Sequence, residues 1–200
     1  KKKGFLVSIT DSLSVDNVLS FTDSDIKNKK LYTSILNNRI ELLNKNEINL
    51  IVQDARDYHA ISKVYGDIDP DIIIHLAAVS HANKSNKDPH STFDHSFRTL
   101  ENSLDFAKNK KVHLIYLSSS MVYGNFDSKD VNEETLCNPI GIYGTLKYSG
   151  ELLVKAYNQV FDLPYTIIRP SALYGERCVS RRVGQIFIEN AIQGLDISIN

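Results

Sequence analysis

The sequence predicts an α/β protein built on a doubly wound parallel sheet, and three observations carry that reading. Short apolar runs alternate with helical patterns from end to end. The runs are rich in β-branched residues, as expected of strands buried on both faces. The residues capable of chemistry fall just after the runs, at the edge where such sheets bind ligands. The predicted strands are Phe5–Thr10, Ile48–Val52, Ile72–Ala77, Val112–Ser118 and Tyr165–Arg169. Between them lie helical candidates at Asp57–Tyr65, His90–Lys108, Tyr143–Phe161 and Arg181–Gln193. In the third, Leu146, Gly150, Leu153, Tyr157 and Val160 recur at three- and four-residue steps, an expected inward stripe. Alternation at this spacing calls for right-handed crossovers. Phe21–Asn46 is polar and weakly periodic, and reads as surface loop with a short helix around Arg39–Asn44. Ile197–Asn200 reads as the start of another strand.

Composition narrows the function classes. The chain has 200 residues, 42% of them hydrophobic, with 23 basic against 24 acidic side chains. That length suits one domain or one and the beginning of a second. The charge balance creates no general field for nucleic acid or an anionic membrane. No apolar run approaches the roughly 18 residues of a membrane span. Cys137 and Cys178 have no metal spacing, and the histidines form no ligand pair, so no metal site is expected. Unpaired cysteines fit a reduced, cytoplasmic setting. The chain begins at Lys1 rather than Met and is read as a piece of a longer protein.

The strand ends hold the chemistry. Asp11 follows the first strand, Asp54 the second, Ala77–Ala78 the third, Ser118–Ser120 the fourth and Arg169–Pro170 the fifth. Tyr143 and Lys147 stand one helical turn apart and share a face. A Tyr phenol, with its ordinary pKa of about 10, is a poor base at neutral pH; bringing it there requires about 4 kcal/mol of differential stabilisation. A neighbouring ammonium in a dry site supplies stabilisation of that kind. Upstream, in Ser118–Gly124 (SSSMVYG), Ser119 is placed to share a substrate oxygen with Tyr143.

The combination of SSSMVYG at a strand end with NPIGIYGTLK opening a helix resembles the extended short-chain dehydrogenases/reductases, the NAD-dependent epimerases and dehydratases of nucleotide sugars. The resemblance runs from about Gly4 to the last residue. Asp11–Ser14 (DSLS) resembles the family's Asp-Asn-Leu-Ser and Asp54–Asp57 (DARD) its Asp-x-Arg-Asp, while Asp69–Ala78 and Arg169–Gly175 are similarly close. The resemblance implies a Rossmann-type sheet, with residues 1–170 as the NAD-binding domain and 171–200 as the start of a substrate-binding region. It implies Ser119, Tyr143 and Lys147 as the catalytic set, with Ser118 the alternative serine. Asp11, Asp54, Ala55, Leu76, Ala77, Ala78, Ser118, Tyr143, Lys147, Arg169 and Pro170 are implied to contact NAD, and a carboxylate at Asp11 favours NAD over NADP. His81, Ser120, Tyr123 and Arg177 are implied to face a nucleotide sugar, with Arg181 and Arg182 as further candidates for its diphosphate.

Several positions depart from the family. Its opening Gly-rich turn, the first strand and the first helix are expected upstream of Lys1, as is the strand that pairs beside Phe5–Thr10. His95 and Arg98 stand where the family carries Asn and Gly in Asn-x-x-Gly-Thr. Related 4,6-dehydratases carry an acidic pair, or a Glu, in the two positions after the catalytic Thr or Ser; here those are Ser120 and Met121. The expected function is therefore a nucleotide-sugar epimerase, homodimeric at full length. A dehydratase or reductase is the alternative, favoured by Ala77–Ser85 (AAVSHANKS), and a non-catalytic NAD-binding protein the third reading. His75 is expected to be a core histidine bonded to backbone, and Cys178 to be structural.

Overall fold

The computed structural model describes residues 3–15, 17–21, 27–80, 82–126, 130–179 and 182–197. They divide into two compact units, one of residues 1–52 with 173–200 and the other of residues 53–172.

In the first unit, β1 (Ser8–Asp11) and β2 (Asn49–Val52) pair in parallel, with Ser8 opposite Asn49 and Asp11 opposite Val52. The crossover between them carries α1 (Lys29–Lys45). This corrects the expected loop: Tyr32 and Leu36, one turn apart, are buried against Phe21 and Val179. Ile35 packs beside them, and the Lys, Asn and Glu on the exposed side of the helix dilute the periodic signal. The Phe21 and Tyr32 rings lie 5.5 Å apart. Helix α7 (Val183–Ile192) supplies Glu189, which accepts hydrogen bonds from Tyr32 Oη and from Asn28 Nδ2, the latter at 2.7 Å. Ile197 is not in a strand, and the rest of that expected element lies outside the described residues.

The second unit is a three-stranded parallel sheet in the order β3 (Ile72–His75), β4 (His113–Leu117), β5 (Tyr165–Ile168). Ile72 pairs with His113, and Leu114 with Tyr165. The connecting helices are α2 (Tyr58–Ile68), α5 (Thr99–Lys110) and α6 (Gly141–Phe161). Their ends are locally encoded. Asp57 caps α2 by accepting the Ala60 amide at 3.0 Å, and Asp69, Lys111 and Asp162 end α2, α5 and α6 in the left-handed conformation before the next strand. Ile73, Leu114 and Tyr116 on one sheet face join Leu100, Leu104, Ala107, Val154 and Leu163 in the core.

Two expectations are corrected here. Strands buried on both faces were expected, yet β3 alternates: Ile73 and His75 are buried, whereas Ile72 and Ile74 are exposed. The covered face is the one on which α5 and α6 pack. The single helix expected at His90–Lys108 is instead α4 (Pro89–Phe93), capped by Asp88, a π-helical turn at Asp94–Arg98, then α5. Before them lies α3 (Ala82–Lys87). A π turn inserts a residue into the helical ladder, and here it turns Ser96 and Thr99 toward the end of β3. Ser96 Oγ accepts the Val79 amide at 3.1 Å, and Thr99 Oγ1 donates to Ala77 O at 3.1 Å.

Candidate active site

The geometry of the second unit is set at the carboxyl ends of β3, β4 and β5. Beyond β4 the chain stays extended through Ser119 and then tightens into a 3-10 turn at Ser120–Tyr123 that packs on α6. Ser118 N donates to Ile168 O at 2.8 Å and Ser120 N to Pro170 O at 3.0 Å, so the pairing with β5 continues past the last strand residue.

The two candidate serines are held differently. Ser118 is buried, and its hydroxyl donates inward to Glu151 Oε1 at 2.5 Å. Ser119 Oγ accepts the Met121 amide at 3.2 Å, which leaves its own proton to donate elsewhere. Of the two, Ser119 is the serine whose hydroxyl proton is not committed to Glu151.

Helix α6 brings Tyr143 and Lys147 to this turn. Gly144 makes the approach possible: a Cβ there would lie 2.8 Å from the Met121 carbonyl oxygen. Lys147 is 7% exposed and its Nζ donates to Leu117 O at 2.7 Å, with the Tyr116 ring centroid 5.2 Å away. Burial pushes its pKa down to about 8. Tyr116 in turn reaches α6 at Gly150, where a Cβ would collide with its hydroxyl. The inward stripe of α6 keeps Gly150 of the expected one, with Leu153 and Tyr157 packed against the core, and departs from it elsewhere. It runs through Gly144, Lys147, Gly150, Glu151 and Val154, whereas Val160 is exposed.

Asp54, after β2, belongs to the second unit and is chelated by Arg56, whose Nε lies 3.1 Å from both carboxylate oxygens and whose Nη2 lies 2.6 Å from Oδ2. The Arg56 bonds hold the Asp54 carboxyl below its ordinary range. Arg56 continues to Asp94 at 3.0 Å, and Asp94 to Arg98 at 2.7 Å. Ala55 O accepts from Asn102 Nδ2 at 2.8 Å. Residues of α5 and the π turn thereby hold both the Asp54–Arg56 and the Ala77–Val79 segments. That clamp was not read from the sequence, where His95 and Arg98 registered only as departures. Leu76 and Ala77 are exposed and Ala78 half-buried, an open strand end without bulk.

Arg169 is engaged inward. Its Nε and Nη2 donate to the two oxygens of Glu151 at 2.9 and 2.7 Å, and its Nη1 to Tyr123 Oη at 3.0 Å and Glu133 O at 3.1 Å. Any cofactor contact at this position falls to its main chain. Tyr123 is 7% exposed, with Arg169 stacked 5.0 Å from its ring centroid. Glu151 itself was missed. Its signal is that Tyr143, Lys147 and Glu151 continue at four-residue steps along one helix face.

Asp11 and Arg177 lie in the first unit. Asp11 Oδ1 accepts the Leu13 amide at 2.6 Å. Arg177 donates to Asn38 Oδ1 at 2.8 Å and pairs with Glu176 at 2.8 Å. His81 and Arg181 lie outside the described residues. His75 is buried in the core, bonds Ser103 Oγ through Nδ1 at 3.1 Å, and is held neutral by burial with a pKa near 3. Among the described residues, no three His, Cys, Asp or Glu side chains converge as a metal site, and no helix is long and apolar enough to cross a membrane.

Comparison with known proteins places this arrangement. The model of the NAD dependent epimerase/dehydratase family matches residues 22–200. UDP-glucuronate 4-epimerase 6 of Arabidopsis thaliana is 29% identical over 163 residues, 80% of this chain and 35% of that protein. The dTDP-D-glucose 4,6-dehydratase of Dictyostelium discoideum is 27% identical over 169 residues, 78% of this chain and 39% of that protein. The crystal structure of UDP-glucose 4-epimerase from Thermotoga maritima with UDP-glucose superposes with a TM-score of 0.80 at 21% identity, covering 99% of this chain and 59% of that one, which establishes the Rossmann-type fold. The chain spans half or less of the length of the curated relatives it matches first.

Proposed function

The chain belongs to the NAD-dependent epimerase/dehydratase family, and from that premise we propose that the full-length protein is a cytoplasmic, homodimeric nucleotide-sugar epimerase. Residues 1–170 form its NAD-binding part and 171–200 open its substrate-binding region. The residues present fit the cofactor. Asp54 is an ionised acceptor for an adenine amine, Ala77 and Ala78 leave room at a strand end, and Asp11 keeps Oδ2 without a partner among the described residues for a ribose hydroxyl. Lys147, with one proton on Leu117 O, has two for Tyr143 and the nicotinamide ribose.

NAD, when bound, accepts a hydride from the sugar carbon and later returns it. Tyr143 takes the proton of the hydroxyl on that carbon, Ser119 donates to the same oxygen, and the Lys147 ammonium stabilises the phenolate. The sugar ketone then presents its other face, and Tyr143 returns the proton. Ser120 and Tyr123, in the turn after β4, are assigned to the sugar, and His81 and Arg177 to the nucleotide sugar, on the family resemblance.

The observation that carries epimerisation over dehydration is the placement of carboxylates. Loss of water needs a general acid and base within hydrogen-bond reach. Ser120 and Met121 follow Ser119, and the one acid of α6, Glu151, is fully buried and bonded to Ser118 and Arg169. Dehydration remains the second reading, on the likeness of Ala77–Ser85 to dehydratases and on the Dictyostelium relative. Incubating the full-length enzyme with NAD and a panel of nucleotide sugars, followed by mass spectrometry, decides between them. A product of unchanged mass supports epimerisation; one lighter by a water overturns it.

A further inference from the structure

We propose that Glu151 and Arg169 are a positioning pair, which orients Ser119 and the Tyr123 ring from behind the site without touching substrate. The proposal rests on the reading of Ser119, Tyr143 and Lys147 as the reacting set.

Five elements meet at this pair. Glu151 comes from α6 and is 0% exposed; Arg169 comes from the end of β5. Glu151 Oε1 receives both the Ser118 hydroxyl, at 2.5 Å, and Arg169 Nε, at 2.9 Å, and Oε2 receives Arg169 Nη2 at 2.7 Å. The remaining arm of Arg169 donates to Tyr123 Oη at 3.0 Å in the 3-10 turn and to Glu133 O at 3.1 Å in the following loop. A Lys in place of Arg169 could not make these contacts together, because only the guanidinium has a planar fork.

The consequence for Ser119 follows from backbone geometry. Successive residues of an extended chain point to opposite sides, and Ser119 has φ −161° and ψ 152°. With Ser118 drawn to one side by Glu151, Ser119 is turned to the opposite side of the chain, and Leu117 O, Ser118 N and Ser120 N are each bonded as well. The segment therefore requires no rearrangement to donate a hydrogen bond to a reacting oxygen, which is how a preorganised donor lowers a barrier. A buried ion pair adds little stability over apolar residues of similar volume. Orientation, rather than stability, is what this one contributes.

That distinction supplies the test, made in the full-length enzyme with NAD. The variant Glu151→Met/Arg169→Met replaces the pair by apolar side chains, and Arg169→Lys keeps the charge but loses the fork. We expect both to bind NAD like the wild type while kcat falls roughly tenfold to a hundredfold, the scale of a small misplacement, with KM nearly unchanged. Wild-type kcat in either folded, NAD-binding variant overturns the proposal. Amide hydrogen exchange over residues 118–121 reads the same device without turnover. Exchange roughly tenfold faster in Arg169→Lys, through loosened local structure, supports it; unchanged protection overturns it. A wild-type enzyme that turns over no nucleotide sugar would sink the proposed reaction, and the exchange measurement would then decide the pair alone.

Discussion

Replacing Lys147 by Met should remove activity while leaving stability at neutral pH nearly unchanged or slightly raised. In the folded protein burial holds the ammonium at about 8 rather than its ordinary 10.5, so the charged form is disfavoured by about 3 kcal/mol. Met fills similar volume without a charge, which recovers that penalty at pH 7. Against it stands Leu117 O, which loses the Nζ–H bond at 2.7 Å, and an unsatisfied buried carbonyl costs about 1–3 kcal/mol. The two nearly cancel. The clean signal is the pH dependence. Between about pH 8 and 10.5 the unfolded chain holds the Lys147 proton and the folded chain does not, so wild-type stability rises with pH through that window by up to about 3 kcal/mol from this group. The Met variant lacks this rise, and other titrating groups, the buried tyrosines included, cancel in the difference. Urea unfolding of both proteins at a series of pH values measures it. Parallel stability curves from pH 8 to 10.5 would refute the assignment of Lys147 as a buried, destabilised ammonium. Turnover runs the opposite way: below about 8 the ammonium is present to stabilise the Tyr143 phenolate, and the wild-type rate should lose that support as pH rises through 8.

Tyr143→Phe should leave NAD affinity unchanged and lower turnover at least about a hundredfold, the usual scale for a positioned acid–base group; near-normal turnover in the purified full-length variant removes Tyr143 from the mechanism. Gly144→Ala places a Cβ 2.8 Å from the Met121 carbonyl, so the turn carrying Ser119 must shift, and a loss of about 1–3 kcal/mol in denaturant unfolding is expected, with reduced turnover. Asp11→Ala should weaken NAD binding and narrow the preference for NAD over NADP, since a carboxylate there repels the extra phosphate. Titration of both cofactors checks this, and a wild-type enzyme that prefers NADP contradicts it.

What the sequence revealed and what it hid divide along a physical line. The five strands of the described residues were legible, because parallel strands concentrate β-branched apolar residues into runs such as Ile72–His75 and Tyr165–Ile168. The placement of Asp54, Ala77 and Ser119 just past the ends of β2, β3 and β4 was legible too. Helix α1 was not, because only Tyr32 and Leu36 are fully buried, with Ile35 packed beside them, and most other positions are polar. Helix α6 shows the deeper reason. Its inward face also carries Lys147 and Glu151, which a search for apolar periodicity passes over: of Leu146, Gly150, Leu153, Tyr157 and Val160, Gly150 is buried and Leu153 and Tyr157 pack on the core, whereas Val160 is 70% exposed. The pattern fails where the helix turns from structure to chemistry, since a buried ammonium and a buried carboxylate violate the rule that core positions are apolar. Each violation also needs a partner that no local window contains: Glu151 is completed by Arg169 just after β5 and Ser118 just after β4, and Lys147 by Leu117 O. Ionisable residues spaced four apart on one helix face, such as Tyr143, Lys147 and Glu151, are thus a better pointer to this site than hydropathy is. Hydropathy reports which face is apolar, whereas the spacing reports which side chains can act on the same strand ends.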